Sequence, residues 1–137
     1  MAAKDIFHNQ VKNALIKEGW KITDDPLTLS YGGRNVFVDL GAEYLGAQKE
    51  GRKIAVEIKS FISHSDVHDL GISIGQYRIY RNILSEIEPE REIYLAVPTY
   101  AYDGIFQEPL GQLMIKKDKL LLIVYDEQQE RIRQWLP

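Results

Sequence analysis

Two carboxylates and an ammonium group stand at the ends of two β-like segments. Asp39 ends one apolar run, and Glu57-Ile58-Lys59 lies near the end of another. If residues 53–59 form a strand, the alternation of side chains places Glu57 and Lys59 on one face and the apolar residues between them on the other. Two carboxylates on neighbouring strands repel each other unless a cation or a proton lies between them. The pattern therefore indicates a metal-dependent site for phosphodiester chemistry.

In such a site Asp39 and Glu57 would bind Mg²⁺ or Mn²⁺, because hard divalent cations prefer oxygen ligands. The ion would polarise a phosphate and lower the pKa of a bound water. Lys59 would orient that water and offset the developing charge. The alternative is a solvated strand face with a weak ion pair, because Glu-x-Lys is common by chance.

The next segment, residues 66–86, has apolar residues at mostly helical spacing, with Ser65 or Asp66 available as the N-cap. Within this predicted helix Gln76 and Tyr80 are four residues apart, so they lie on one face and can both point toward the preceding strand. They would position a phosphate or a base. The alternative is that Tyr80 is a core aromatic and Gln76 its solvated neighbour.

The order of these residues, on strand, strand and following helix, resembles the PD-(D/E)XK nuclease superfamily in its Gln-x-x-x-Tyr variety. Val38 stands where the eponymous proline would be, a mild departure because the proline is a turn device and carries no chemistry. The resemblance implies a restriction-endonuclease-like fold. The catalytic residues it implies are Asp39, Glu57, Lys59, Gln76 and Tyr80, with Asp39 and Glu57 as the metal ligands.

Over essentially its whole length the chain also resembles the XisH family, the fdxN-element excision controlling factors. The similar blocks are residues 4–8 (KDIFH), 18–20 (EGW), 25–27 (DPL), 38–43 (VDLGAE), 54–61 (IAVEIKSF), 106–109 (FQEP), 125–126 (YD) and 134–135 (QW). This resemblance implies an accessory protein for the developmentally regulated removal of a DNA element by a site-specific recombinase. Members often occur beside a small companion protein called XisI. Nuclease activity is implied by the superfamily only.

Three functions fit these residues. The first is an accessory factor that controls excision of a DNA element and carries a Mg-binding, phosphodiesterase-type site. The second is an active metal-dependent DNA endonuclease, toxin-like and restrained by an XisI-like partner. The third is a non-catalytic module that recognises DNA or the recombinase.

The charge of the chain argues against strong solitary binding to nucleic acid. The formal net charge is −3 at pH 7 and the pI is about 5.6, so any contact with DNA must come from a local basic patch. Three clusters are candidates: Lys49, Arg52 and Lys53; Arg78 and Arg81; and Lys116, Lys117 and Lys119. Each cluster is otherwise a solvated surface or turn.

Composition predicts one globular domain over residues 1–137, with 45% hydrophobic and 27% charged residues. The chain has no cysteine, which excludes disulfides and thiolate metal sites. No apolar run approaches membrane-spanning length, and residues 1–5 lack a signal-peptide pattern. We therefore expect a cytoplasmic protein.

Periodicity and turn residues predict an α/β fold with an αβββαβ core, a mixed central sheet flanked by helices, and a C-terminal β-hairpin. The predicted helices cover residues 5–18, 66–86 and a short helical region at 100–115. The predicted strands cover residues 27–31, 35–40, 53–60, 92–97, 120–125 and 130–136, with a polar loop at 43–51.

Several other side chains have no settled role. Glu18 and Glu43 are carboxylates that could reach the site, although such glutamates are usually solvated. His64 and His68 are four residues apart, a spacing that could bind a transition metal, but capping or surface roles are favoured without a third ligand. His8 has no motif support.

The C-terminal half is rich in aromatic residues, namely Tyr94, Tyr100, Tyr102, Phe106, Tyr125 and Trp135. Aromatic side chains are enriched at the centres of interfaces. This content predicts a homodimer or a complex with an XisI-like companion, and the alternative is that these residues complete the core.

Overall fold

A computed structural model describes residues 4–46 and 51–137. The helices are α1 (His8–Lys17), α2 (Asp66–Ile87), α3 (Thr99–Asp103) and α4 (Pro109–Asp118), with one 3₁₀ turn at Ile105–Gln107. The strands are β1 (Lys21–Asp24), β2 (Leu27–Tyr31), β3 (Arg34–Val38), β4 (Leu40–Tyr44), β5 (Arg52–Ile58), β6 (Glu92–Pro98), β7 (Leu122–Asp126) and β8 (Arg131–Leu136).

Six strands form one mixed sheet in the order β1-β4-β5-β6-β7-β8. The three strands β5, β6 and β7 are mutually parallel, and the other pairings are antiparallel. Strands β2 and β3 pair separately as a two-stranded hairpin. The predicted class, a mixed α/β fold with a helix-flanked sheet and a terminal hairpin, is confirmed.

The αβββαβ order is present, but two of its strands are not the predicted ones. Residues 27–31 and 35–40 fall largely in the separate hairpin, and the main sheet uses β1, β4 and β5 between α1 and α2. The predicted loop at 43–51 is wrong at its start, because β4 continues to Tyr44, and residues 47–50 of it lie outside the described residues. Only Asp39 separates β3 from β4, with no turn residue to mark the change of sheet.

Each face of the sheet buries its own hydrophobic cluster. Ala55 of β5 belongs to the cluster under α2, and Ile54, Val56 and Ile58 belong to the cluster under α1. The predicted alternation along this strand is therefore confirmed. It leaves Glu57, which has the same parity as Ala55, on the face covered by α2.

Helix α2 begins as the sequence predicts. Ser65 is the N-cap, and its Oγ accepts a hydrogen bond of 3.1 Å from the backbone N–H of His68. The helix ends at Ile87, two residues before Pro89. Within the described ranges, no helix has the length and apolar character needed to cross a membrane.

Most of the C-terminal aromatic residues complete the core. Tyr94, Phe106 and Tyr125 are almost fully buried, and Trp135 stacks on Trp20 with ring centroids 5.6 Å apart. Tyr100 is the exception, with 44% of its surface exposed. The alternative, a role in the core, therefore accounts for most of these residues. The homodimer and the companion complex remain predictions.

Two helical glycines make a matched test of packing in this fold. A Cβ on Gly111 would clash with the carbonyl oxygen of Ile105, and a Cβ on Gly75 would meet nothing within 4 Å. We expect Gly111→Ala to lower the free energy of unfolding by about 1–3 kcal/mol through overpacking. Gly75→Ala should raise it by about 0.5–1 kcal/mol, because alanine is the better helix former. Urea denaturation of both variants measures the difference, and equal effects would contradict the close approach at Gly111.

Candidate functional site

The candidate site lies at the carboxyl end of β5. Strand β4 runs antiparallel to β5, with Leu40 opposite Val56, so the pairing brings Asp39 and Glu57 to the same edge. Asp39 lies where the chain leaves the hairpin and enters the main sheet. The fold thus places together the two carboxylates that the sequence predicts as metal ligands.

The two carboxylates are held by reciprocal hydrogen bonds to the backbone. The backbone N–H of Ile58 donates to Asp39 Oδ2 at 2.8 Å, and the backbone N–H of Asp39 donates to Glu57 Oε1 at 3.2 Å. Each acidic side chain is therefore fixed by the neighbouring strand. Such bonds orient the carboxylates before any ligand arrives.

The electrostatics of the pair favour a neutralising charge between the side chains. Glu57 has only 7% of its surface exposed. Its burial and the charge of Asp39 raise the pKa of Glu57 to about 9. Burial also raises the pKa of Asp39, against hydrogen bonds that lower it. In the absence of a cation, the pair holds a proton at neutral pH.

Lys59 directly follows β5 and is held through both its backbone and its side chain. Its backbone N–H donates to the carbonyl oxygen of Ala96 at 3.0 Å, which extends the β5–β6 ladder. Its Nζ lies 3.7 Å from Asp69 Oδ1. Asp69 is buried in the first turn of α2 and also accepts a hydrogen bond of 3.1 Å from the backbone N–H of Ser63. Asp69 thereby positions the ammonium group.

Tyr80 faces the carboxylate pair from α2. The side chain is buried, and its burial together with the charges of Glu57 and Asp39 raises the pKa of the phenol above its ordinary value. The hydroxyl therefore remains a hydrogen-bond donor at physiological pH. Gln76, one turn earlier, is partly exposed and makes none of the side-chain hydrogen bonds found in residues 4–46 and 51–137.

Asp5 belongs to this region, although no spacing argument identifies it. Its carboxylate accepts hydrogen bonds from the backbone N–H of Phe7 at 2.9 Å and of Ser60 at 3.0 Å. It therefore ties the N-terminal segment to the chain that leaves β5. Its charge also contributes to the raised pKa values of Asp39 and Glu57. In the sequence, Asp5 is marked only by its place in the block at residues 4–8 that resembles the XisH family.

His8 also has a role that the sequence does not reveal. It is buried, and its Nε2 lies 2.7 Å from Asp25 Oδ1, while Lys12 Nζ lies 2.9 Å from Asp25 Oδ2. The side chains of His8 and Lys12 lower the pKa of Asp25, although burial opposes them. This group braces α1 against the start of the β2–β3 hairpin.

Four other candidates do not join the carboxylate pair. Glu18 accepts a hydrogen bond of 3.0 Å from Trp135 Nε1, and Glu43 lies further along β4, opposite Lys53. His64 and His68 are exposed at the start of α2.

Of the basic cluster Lys49, Arg52 and Lys53, Arg52 is bound to other side chains of the protein. Arg52 donates to the hydroxyl of Tyr94 at 2.7 Å and pairs with Glu92 at 3.2 Å. Lys53 is exposed on β5, and Lys49 lies outside the described residues. The cluster therefore offers little basic surface beyond Lys53 in the described part.

The carboxylate pair fits a hard divalent cation. In the described part of the chain, no three His, Cys, Asp or Glu side chains are placed to hold a metal ion together. Mg²⁺ tolerates such a site, because it usually binds one or two carboxylates and keeps waters or substrate phosphates as its other ligands. A cation between Asp39 and Glu57 would replace the shared proton as the neutralising charge.

Fold and site together define a mixed α/β protein with a buried carboxylate pair and a positioned lysine at one end of its central sheet. A model of the family described as XisH protein matches residues 1–133, so the chain belongs to the XisH family.

Two solved structures are similar to it. The crystal structure of an XisH family protein from Nostoc punctiforme is 43% identical, with a TM-score of 0.89 over 97% of this chain and 100% of that one. The structure of an fdxN element excision controlling factor protein from Anabaena variabilis is 42% identical, with a TM-score of 0.88 over 98% of this chain and 100% of that one. A search among curated proteins finds no significant match.

Proposed function

We propose that this protein controls the excision of a DNA element, and that Asp39, Glu57 and Lys59 form a PD-(D/E)XK-type cation site that acts on phosphodiesters. The observation that carries the proposal is the buried carboxylate pair, in which each side chain is held by a hydrogen bond from the neighbouring strand. A purely structural role would not require two carboxylates at one point of the core. The excision role rests on the similarity to the Anabaena variabilis protein, which is an fdxN element excision controlling factor.

Each side chain has a defined task in this site. Asp39 and Glu57 would hold the cation, which when bound activates water and stabilises charge on phosphate. Lys59, positioned by Asp69, would donate to the attacking water or to a phosphate oxygen. Tyr80 would donate its hydroxyl proton in a hydrogen bond to the substrate and keep the wall of the site dry.

The surroundings of the site support an accessory role rather than a free-standing nuclease. Asp5 adds negative charge beside the carboxylate pair, and the whole chain carries a net charge of −3. This negative charge repels a DNA phosphate that approaches the site. A basic partner would offset this charge. The candidates are an XisI-like companion, the recombinase or a second copy that presents its own cations.

One observation favours the non-catalytic alternative. The ammonium of Lys59 already pairs with the buried Asp69, so part of its charge is neutralised before substrate arrives. A module of this kind would use the same fold to recognise DNA or the recombinase without cutting. The restrained endonuclease would cut when its partner is removed, so cleavage assays of the isolated protein separate the two.

A Mn²⁺ titration tests the cation site. We expect isothermal titration calorimetry to show one Mn²⁺ per chain, with binding at least about tenfold weaker in Asp39→Asn, which lacks one of the two carboxylates. Asp66→Asn is the matched control, because Asp66 is exposed at the start of α2. Identical binding in wild type and Asp39→Asn would remove Asp39 from this role.

A further inference from the structure

A cavity lies at the end of the sheet opposite to the candidate site. It has a volume of about 570 Å³ and opens between the C-terminal half of α2, the end of α4 and the start of β6. Because β5 and β6 are parallel, the start of β6 lies away from the carboxyl end of β5, where Glu57 stands. Ligand pockets in proteins typically have volumes of about 300–1,000 Å³, so this cavity can admit a small molecule.

The cavity combines an apolar floor with a polar rim. Leu84, Ile93 and Tyr77 line it and are almost fully buried, so they form its base. Lys117 and Lys119 line it from the end of α4 and are exposed. A molecule that enters would place an apolar or planar body on the floor and a charged group at the rim.

Arg81 is held in place at the rim. Its guanidinium lies over the ring of Tyr77 at 5.2 Å from the centroid and donates to the backbone carbonyl of Asp118. Both contacts leave its charge uncompensated, because the ring and the carbonyl are neutral. An arginine fixed in this way loses little conformational entropy when it binds an anion.

The acidic groups around the cavity already have their own cations. The pairs are Glu92 with Arg52 at 3.2 Å, Asp118 with Arg78 at 3.6 Å, and Glu88 with Arg91 at 2.9 Å. Among the described residues, no carboxylate lies within ion-pair distance of Arg81, Lys117 or Lys119. Three cations without carboxylate partners therefore meet at one cavity of a protein whose net charge is −3.

We propose that this cavity binds a small phosphorylated molecule with an apolar or aromatic body, of which a nucleotide is the simplest case. The phosphate would contact Arg81, Lys117 and Lys119, which can donate several charge-assisted hydrogen bonds. The body would cover Leu84 and Ile93. The same phosphate chemistry occurs in a free nucleotide and along a nucleic acid strand, and the volume and apolar base of the cavity favour the free nucleotide.

Calorimetric titration of the full chain with adenosine 5′-monophosphate tests the site. EDTA in the buffer keeps divalent cations away from Asp39 and Glu57. We expect saturable binding with a Kd below about 1 mM that weakens as NaCl is raised. Inorganic phosphate should bind at least about tenfold more weakly, because it cannot use the apolar floor.

Charge-removal variants locate the binding. The double variant Lys117→Gln with Lys119→Asn should weaken nucleotide binding by at least about tenfold. Asparagine is chosen at 119 because Lys119 has φ of 51°, a conformation that asparagine tolerates. Lys116→Gln is the matched control, because Lys116 lies in the same helical turn without lining the cavity.

Three results would overturn the proposal. The first is no saturable binding of the nucleotide at millimolar concentration. The second is equal binding by the double variant and by Lys116→Gln. The third is a single-stranded oligonucleotide of eight thymidines that binds more tightly than the nucleotide at equal phosphate concentration, which would make the surface a nucleic-acid groove. Unchanged nucleotide binding in Asp39→Asn would separate this cavity from the cation site.

Discussion

Replacing Lys59 with methionine is expected to lower metal-dependent DNA cleavage by at least about a hundredfold. Methionine keeps the unbranched stem and removes the ammonium group that lies 3.7 Å from Asp69 Oδ1. The lost charge can no longer orient water or stabilise the reacting phosphate. Cleavage of plasmid DNA with Mg²⁺ or Mn²⁺, followed on gels, measures the effect.

Lys53→Met is the matched control for that experiment. Lys53 is exposed on the same strand, at its opposite end, and shares the parity of Lys59. It should leave cleavage unchanged. If wild-type protein cuts no duplex, single-stranded or branched DNA, then the catalytic proposal fails and the accessory or binding role remains. Equal cleavage by both variants would remove Lys59 from the site.

The second large effect is a loss of stability as pH rises. The pKa of Glu57 is raised to about 9 in the folded protein, above its ordinary value of 4.5. Between these values the folded state binds more protons than the unfolded state, so the stability conferred by protonated Glu57 is complete below pH 4.5 and is lost as pH approaches 9. The free energy of unfolding should fall by up to about 1.4 kcal/mol per pH unit within this window.

Glu57→Gln should remove most of that dependence. The amide resembles the protonated acid, so the variant should be more stable than wild type at pH 8 and similar to it at pH 5. Urea denaturation at several pH values provides the measurement, with Glu43→Gln on β4 as the control. Mn²⁺ at pH 8 should restore stability to the wild type, because a cation replaces the proton. Parallel profiles for wild type and Glu57→Gln would exclude a shared proton at this pair.

Local features of the site could be predicted from the sequence, because they depend on short-range geometry. Alternation places Glu57 on the face of Ala55, and the cap at Ser65 follows from residue type. The roles of Asp5 and Asp69 could not be predicted from the sequence. Each acts through a contact that only the tertiary fold creates, to Ser60 and to Lys59 respectively.

The pairing of the strands also could not be predicted from the sequence. The step from β3 to β4 takes only a bend at Asp39, and no turn residue marks the point at which the pairing partner changes from β2 to β5. Periodicity detects an extended segment but not the strand with which it pairs. The aromatic residues of the C-terminal half left open a role in the core, and the fold shows why most of them have one. A sheet covered on both faces has two cores to fill, and Tyr94 and Phe106 lie on opposite sides of it.

Asp39 lies where the chain passes from one sheet to the other, and the site around it is built from segments that are distant in the sequence. Asp39 and Glu57 are 18 residues apart, Asp5 and Ser60 are 55 apart, and Lys59 bonds to Ala96. Contacts between distant segments form late, because the loops between them must close first. A nascent chain cannot complete the site before β6 has left the ribosome. We therefore expect any chemistry at this site to begin only after the central sheet has assembled.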